Sequence, residues 1–186
     1  TLRPGTSGGS FGTDARRIPG SFSGYDTIVG GGDWNGDKRP DLVLRTRSTG
    51  ATTVLPGRGD GTFGRAMGPM RRASGLSSLS TADVTGSGEL DLIGRSGSAV
   101  VVVPNRGRFD TAAPIDTGQS LGWADTLLRV GDWDRDGKGD LAARSAETGT
   151  LYLLRGLGGG KLADRFGKRT VALAASTATW LLLPVV

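Results

Sequence analysis

The feature that most narrows what this chain can fold into is an internal repeat of about 50 residues. Three Asp-rich segments align without gaps: GDWNGDKRPDLVLR at 32–45, ADVTGSGELDLIGR at 82–95 and GDWDRDGKGDLAAR at 131–144. Their first aspartates, Asp33, Asp83 and Asp132, stand 50 and 49 residues apart. The flanks repeat as well. An apolar stretch precedes each loop (YDTIVGG, LSSLSTA, WADTLLRV), and a short run after it ends at Arg45, Arg95 or Arg144. A second apolar run then stops at Pro or Gly, as in ATTVLPGRGDGTF, AVVVVPNRGRF and TLYLLRGLGGGKL. Each unit therefore reads as three or four short strands separated by turns.

A unit of this size with a four-strand rhythm fits a β-propeller blade better than a sandwich or a solenoid, so the fold class is all-β, built of blades of about 50 residues. Val100–Val103 suits an inner strand buried on both faces. The ends carry pieces of the same unit: TLRPGTSGGSFG at the start matches TVLPGRGDGTFG at 53–64, and ATWLLLPVV at the end matches the stretch before a loop. The expected organisation of residues 1–186 is one propeller or partial propeller. Residues 1–23 end one blade, 24–74, 75–121 and 122–170 are three complete blades, and 171–186 begin another. Either the split ends close a ring, or further blades come from another chain or from missing sequence.

The loops carry the chemistry. Asp33, Asn35, Asp37 and Asp41 occupy positions one, three, five and nine of a tight turn, and the carbonyl of Arg39 at position seven can add a fifth oxygen. Asp132, Asp134, Asp136, the Lys138 carbonyl and Asp140 repeat the arrangement. Alternation in a turning backbone aims these oxygens at one centre, and Ca²⁺ takes about six to eight oxygens at about 2.3–2.6 Å. In the middle loop Asp83, Thr85, Ser87, Glu89 and Asp91 hold the same positions, with hydroxyls replacing two of the stronger donors. The expectation is two good calcium sites and a weaker third, with affinity falling from the third loop to the first to the middle one. Asp and Gly are also ordinary turn residues, so a solvated turn is the competing reading, most of all for the middle loop. Against it, 9 of the chain's 16 aspartates sit in these three loops. A helix-flanked EF-hand would need a bidentate Glu at position twelve, where Leu44, Gly94 and Ala143 stand instead.

These loops resemble the D-x-[DN]-x-D-G-x-x-D-L motif of FG-GAP (VCBS, integrin α-chain-like) repeats, whose blades carry calcium between their first two strands. The resemblance runs along essentially the whole chain, including Gly-rich turns before Phe11, Phe63 and Phe109. Lys38 departs from it, standing where the family prefers Gly, with Gly36 two positions earlier. The resemblance implies adhesion modules, lectins and appended domains of extracellular hydrolases.

Composition narrows the chemistry. The chain has no His and no Cys, which removes imidazole acid–base catalysis, thiol nucleophiles and zinc sites of the usual ligand set, so any metal must be held by oxygen. No catalytic triad can be assembled. The net charge of +5 comes from arginines scattered singly or in pairs, with no basic helix and no run interleaved with aromatics, which argues against a nucleic-acid site. The apolar tail 171–186 is too short and too broken for a membrane span. Trp34 and Trp133 share loop position two with Val84, which points to packing between blades over sugar stacking; Trp123 and Trp180 read the same way. Arg45, Arg95 and Arg144 recur at one phase and are expected to hydrogen-bond between blades. The function expected is a secreted, calcium-stabilised module that binds a glycan or a protein surface and is no enzyme by itself. A non-catalytic domain of a larger secreted hydrolase and a polysaccharide-degrading enzyme are the alternatives.

Overall fold

The computed structural model describes residues 3, 5–13, 15 and 17–164. Its strands form three antiparallel sheets in chain order. The first holds β1 (Tyr25–Gly30), β2 (Leu42–Thr46) and β3 (Thr52–Leu55). The second holds β4 (Ser77–Ala82), β5 (Asp91–Ser96), β6 (Ala99–Val103) and β7 (Ile115–Ser120), and the third β8 (Ala124–Gly131), β9 (Asp140–Ser145), β10 (Leu151–Gly158) and β11 (Lys161–Asp164). Each sheet is a meander in which neighbours in sequence are neighbours in space, the arrangement that short connections favour. Among the described residues the only helical element is a single 3-10 turn, Arg71–Ala73. The opening strands β1, β4 and β8 touch in series, as do the outer strands β7 and β11. The sheets are thus blades standing side by side. The proposed start of a further blade at 171–186, and Trp180 within it, lie outside the described residues.

The core lies between blades. Trp34, Val43 and Val54 of the first blade pack on Met70, Ala73, Leu76, Leu79, Leu92 and Val103 leading into and through the second. On the other face of the second blade, Ala82, Val84, Ile93, Val100 and Val102 pack on Leu121, Leu127, Leu141, Ala143, Leu154 and Leu162. Successive residues of β5 and β6 therefore point into opposite clusters, which is why AVVVV reads as an uninterrupted apolar run. Each fully buried Val, Leu or Ile stabilises by about 1.5–3 kcal/mol relative to exposure.

The recurring arginines bridge blades where a next blade is described. Arg45 Nε donates to the Leu76 carbonyl at 2.7 Å, at the entry to β4. Arg95 Nη1 donates to the carbonyls of Leu121, at 3.0 Å, and Ala124, at the entry to β8. Arg144 pairs at 3.2 Å with Asp125 of its own blade, and Arg45 likewise pairs with Asp26.

One alignment shifts. Isolated bridges join Gly5 to Phe11, Gly57 to Phe63 and Asn105 to Thr111, so the N-terminal turn is built like the later ones. The structural counterpart of Phe63 is therefore Thr111, and Phe109 lies two residues earlier, inside the turn. There Arg108 and Phe109 take φ of 52° and 58°, left-handed values unusual for residues with a Cβ. The turn keeps its length from Gly57 to Phe63 and from Asn105 to Thr111, and the residues lost between Asp91 and Asn105 fall in the β5–β6 hairpin, where Arg95 pairs with Val100 as Arg45 pairs with Thr52.

Candidate metal-binding loops

All three Asp loops join the first strand of a blade to its second, and one hydrogen-bonding scheme shapes them. The position-one carboxylate accepts the N–H groups of the turning backbone. Asp33 takes those of Gly36 (2.6 Å), Asp37 (3.1 Å) and Lys38 (2.6 Å). Asp83 takes those of Gly86 (2.7 Å), Ser87 (3.0 Å) and Gly88 (2.7 Å), and Asp132 those of Asp136 (3.0 Å) and Gly137 (2.9 Å). Wrapping a backbone around a carboxylate in this way needs left-handed residues at positions four and six. Gly36 and Lys38 have φ of 85° and 64°, Gly86 and Gly88 of 78° and 86°, and Arg135 and Gly137 of 61° and 84°. The glycine of the first loop is therefore not displaced. Both positions require the conformation, and Lys38 and Arg135 each adopt it without glycine's freedom.

The position-nine aspartates are buried, at 1% exposure for Asp41 and 0% for Asp91 and Asp140. Each fastens the loop to the exit of the third strand. Asp41 Oδ2 accepts the Trp34 N–H and Oδ1 the Gly57 N–H, both at 2.8 Å. Asp140 repeats this with Trp133 (2.7 Å) and Gly156 (2.8 Å). Asp91 does so with Val84 (3.2 Å), Thr85 (3.0 Å) and Asn105 (3.1 Å).

Charge state follows position. Burial pushes the Asp41 carboxyl up, the N–H groups of Gly57 and Trp34 oppose that, and the charges of Asp37 and Asp33 add to it; the net shift is upward. Asp91 also lies high, chiefly through burial, against hydrogen bonds from Asn105 and Thr85. Burial also works to raise Asp33, yet the N–H groups of Lys38, Gly36, Asp37 and Asn35 together hold it below the ordinary value.

The third loop draws its acids together. One carboxylate oxygen from each of Asp132, Asp134 and Asp136 lies within 4.8 Å of the others. Asp134 Oδ1 is buried with no hydrogen-bond partner. Oxygens at that separation, one of them buried and unpartnered, fit a hard divalent cation. The first loop turns Asn35 Oδ1 to the Asp37 N–H (2.9 Å) and Asp37 Oδ1 to the Arg39 N–H (2.9 Å), leaving the second oxygen of Asp37 near Arg39 Nη1 at 3.8 Å. The middle loop closes differently. Asp83 and Asp91 are taken up by backbone N–H groups, Ser87 Oγ accepts the Glu89 N–H at 3.2 Å, and Thr85 Oγ1 is buried without a partner. Side chains at position seven stay at the surface for Arg39 and Glu89, while Lys138 turns its Nζ to Asp136 at 3.1 Å.

Two features of these loops were not anticipated from sequence. Arg155 Nε pairs with Asp134, and its Nη2 lies 3.5 Å from Asp136. Burial works to raise the Asp136 carboxyl, but hydrogen bonds from the Lys138 side chain and N–H, the Lys138 charge and last the Arg155 charge hold it below its ordinary value. Pro56 and Pro104 fill the place of Arg155 in the other blades, so the break in the repeat was the available signal. The second feature is a clamp from the following blade. Asn105 Nδ2 donates to the Asp33 carbonyl at 3.1 Å, and the Phe109 N–H to that of Trp34. In the same way Gly139, Gly159 and Gly160 donate to Asp83, Thr85 and Val84 at 2.8, 3.1 and 3.1 Å. Position two is sealed wherever a clamp is described: Trp34 and Val84 are 0% exposed, whereas Trp133 is 54% exposed.

The family model for the FG-GAP-like repeat matches residues 33–94, from the first aspartate of the first loop to the strand after the middle loop. No curated protein matches the chain significantly. Among solved structures, one of a lectin from Agrocybe aegerita, described for its specific recognition of non-reducing terminal N-acetylglucosamine, aligns at 19% identity with a TM-score of 0.49. The alignment covers 71% of this chain and 36% of that one, so this chain spans about a third of the lectin's length.

Proposed function

We propose that the chain is a secreted module of β-propeller blades, stiffened by calcium, that binds a glycan or a protein surface and does no chemistry on it. The observation that carries the calcium reading is the third loop, where oxygens of Asp132, Asp134 and Asp136 gather within 4.8 Å and one of Asp134's is buried without a partner. The FG-GAP-like match over the first and middle loops supports extending that reading to the first loop. Asp132, Asp134 and Asp136 would hold the ion in the third loop, with Asp33, Asn35 and Asp37 doing so in the first. Asp41 and Asp140 fasten the loops from beneath through hydrogen bonds to backbone N–H groups. The middle loop closes on such hydrogen bonds and stands lowest in affinity. A bound ion supplies positive charge that relieves the mutual repulsion of the carboxylates.

A chain without His or Cys lacks the usual nucleophile and base partners, which favours binding over catalysis. The FG-GAP-like match supports secretion, since the repeats this chain resembles serve in extracellular modules. No helix among the described residues is long and apolar enough to cross a membrane.

The deciding experiment is thermal unfolding with EDTA and with calcium. Calcium binding the folded loops alone adds about 2.7 kcal/mol per site at 100 times its dissociation constant. A melt that EDTA leaves unchanged refutes the calcium reading. Asp136→Ala should reproduce much of the EDTA loss, and Ser87→Ala little of it.

A further inference from the structure

Between the first two blades lies a cavity of about 210 Å³, lined by Met70, Arg71, Arg72, Phe109, Asp110 and Thr111. Its charges are unspent. Arg71, Arg72 and Asp110 are exposed, and among the described residues none of the three side chains has a hydrogen bond or ion pair. Neighbouring guanidinium groups repel each other, and a protein that holds them in the wall of a concavity without a carboxylate partner presents ten N–H donors to whatever enters.

The walls are set in advance. On one side the Met70 N–H donates to the Thr52 carbonyl at 2.7 Å, and the 3-10 turn carries both arginines from there. On the other, the Phe109 N–H is hung on the Trp34 carbonyl, and the ring packs against the cluster between the blades. Arg108 and Phe109 hold consecutive left-handed conformations, at φ of 52° and 58°. Two such residues in a row cost on the order of 1–3 kcal/mol each and persist where the surroundings enforce them, a pattern that gathers at ligand clamps. The junction between the second and third blades has no equivalent, because there the connecting segment becomes β7 and carries no paired arginines.

We propose that this cavity binds one ring of an acidic saccharide, a sugar carrying a carboxylate. The guanidinium forks of Arg71 and Arg72 suit a planar carboxylate, which they can grip through paired N–H donors. The Phe109 ring offers an apolar face to the sugar's C–H groups, and the Asp110 carboxylate and Thr111 hydroxyl accept from ring hydroxyls. A volume below the roughly 300–1,000 Å³ of drug-sized sites holds a single ring and leaves the rest of the glycan outside. A run of acidic side chains would bring carboxylates but no hydroxyls for Asp110 and Thr111 to accept from. The proposal rests on the binding-module reading and narrows its ligand class.

The test is isothermal titration of the full chain with oligogalacturonate, with its methyl-esterified form of equal length, and with a poly-glutamate peptide. Wild type should bind the free acid at least tenfold more tightly than the ester. Arg71→Ala/Arg72→Ala should lose at least tenfold of that affinity with an unchanged melting temperature, and Phe109→Leu should weaken acid and ester alike. Equal affinity for acid and ester, equal affinity for poly-glutamate, or full affinity in the double arginine variant overturns the proposal. Binding of the ester alone overturns it while leaving a glycan-binding module standing. If no oligosaccharide binds, the proposal falls, and the EDTA melt decides separately whether the calcium-stiffened module survives.

Discussion

Replacing Arg155 by Ala should destabilise the metal-free protein and leave the calcium-loaded one nearly unchanged. Without metal, the guanidinium is the counter-charge of the third loop: it pairs with Asp134, whose side chain is 10% exposed, and reaches Asp136, which is 22% exposed. Hydrogen bonds to charged groups contribute about 1.5–3 kcal/mol net. Arg155 is itself 35% exposed, and solvent screening pulls the value toward the low end, to about 1–2 kcal/mol. For a domain of this size that is a fall of about 2–8 °C in the melting temperature in EDTA. A calcium ion held by Asp134 and Asp136 would compete with the guanidinium for the same two carboxylates. Removing its competitor should return a similar 1–2 kcal/mol as tighter binding, about five- to thirtyfold. Calcium titration followed by the fluorescence of Trp133, exposed at position two of this loop, reads the affinity, and paired melts read the stability. If Arg155→Ala lowers the melt equally in EDTA and in calcium, with the titration midpoint unchanged, Arg155 and the metal do not share ligands and the reasoning fails.

Asp91→Ala should destabilise the protein by about 2–4 kcal/mol in urea unfolding even with EDTA present, since it strands the buried N–H groups of Val84, Thr85 and Asn105. Arg95→Ala should cost about 1–3 kcal/mol by unpairing the carbonyls of Leu121 and Ala124, and hydrogen exchange in β8 should accelerate while β2 stays protected. The folded Asp33 carboxyl lies below its ordinary value, so its contribution is complete above the unfolded pKa near 3.9 and is lost as pH falls through the folded one. In EDTA, stability should therefore drop on acidification below about pH 5, and drop less steeply in Asp33→Asn.

Sequence foretold most where the physics is local. The Asp loops were legible because a carboxylate that gathers N–H groups from the next turn needs partners at fixed short spacing, as Asp83 does with Gly86, Ser87 and Gly88. Strand-by-strand burial was legible in Val100–Val103 for the same reason, alternation being a property of neighbours. What depends on distant partners was hidden. Arg155 meets Asp134 across 21 residues, and Asn105 reaches the Asp33 carbonyl across 72. The register of Phe109 was misjudged because the Gly-rich turn keeps its length and its appearance while the aromatic residue sits nearer its start, off the bridge that Thr111 makes.

The clamp makes the blade the wrong place to cut. Donors that close over a loop belong to the next blade along the chain: Asn105 and Phe109 over the first loop, Gly139, Gly159 and Gly160 over the middle one. A fragment trimmed at sheet boundaries therefore separates each loop from its lid, and an isolated 24–74 would leave Trp34 as bare as Trp133 is. A piece that keeps the first loop with its lid must run from Asp33 to Phe109, more than one repeat, so no single unit of about 50 residues carries a seam intact. Nearest-neighbour coupling of this kind gives a repeat array a direction. Damage to one loop should be felt first by the blade that follows it.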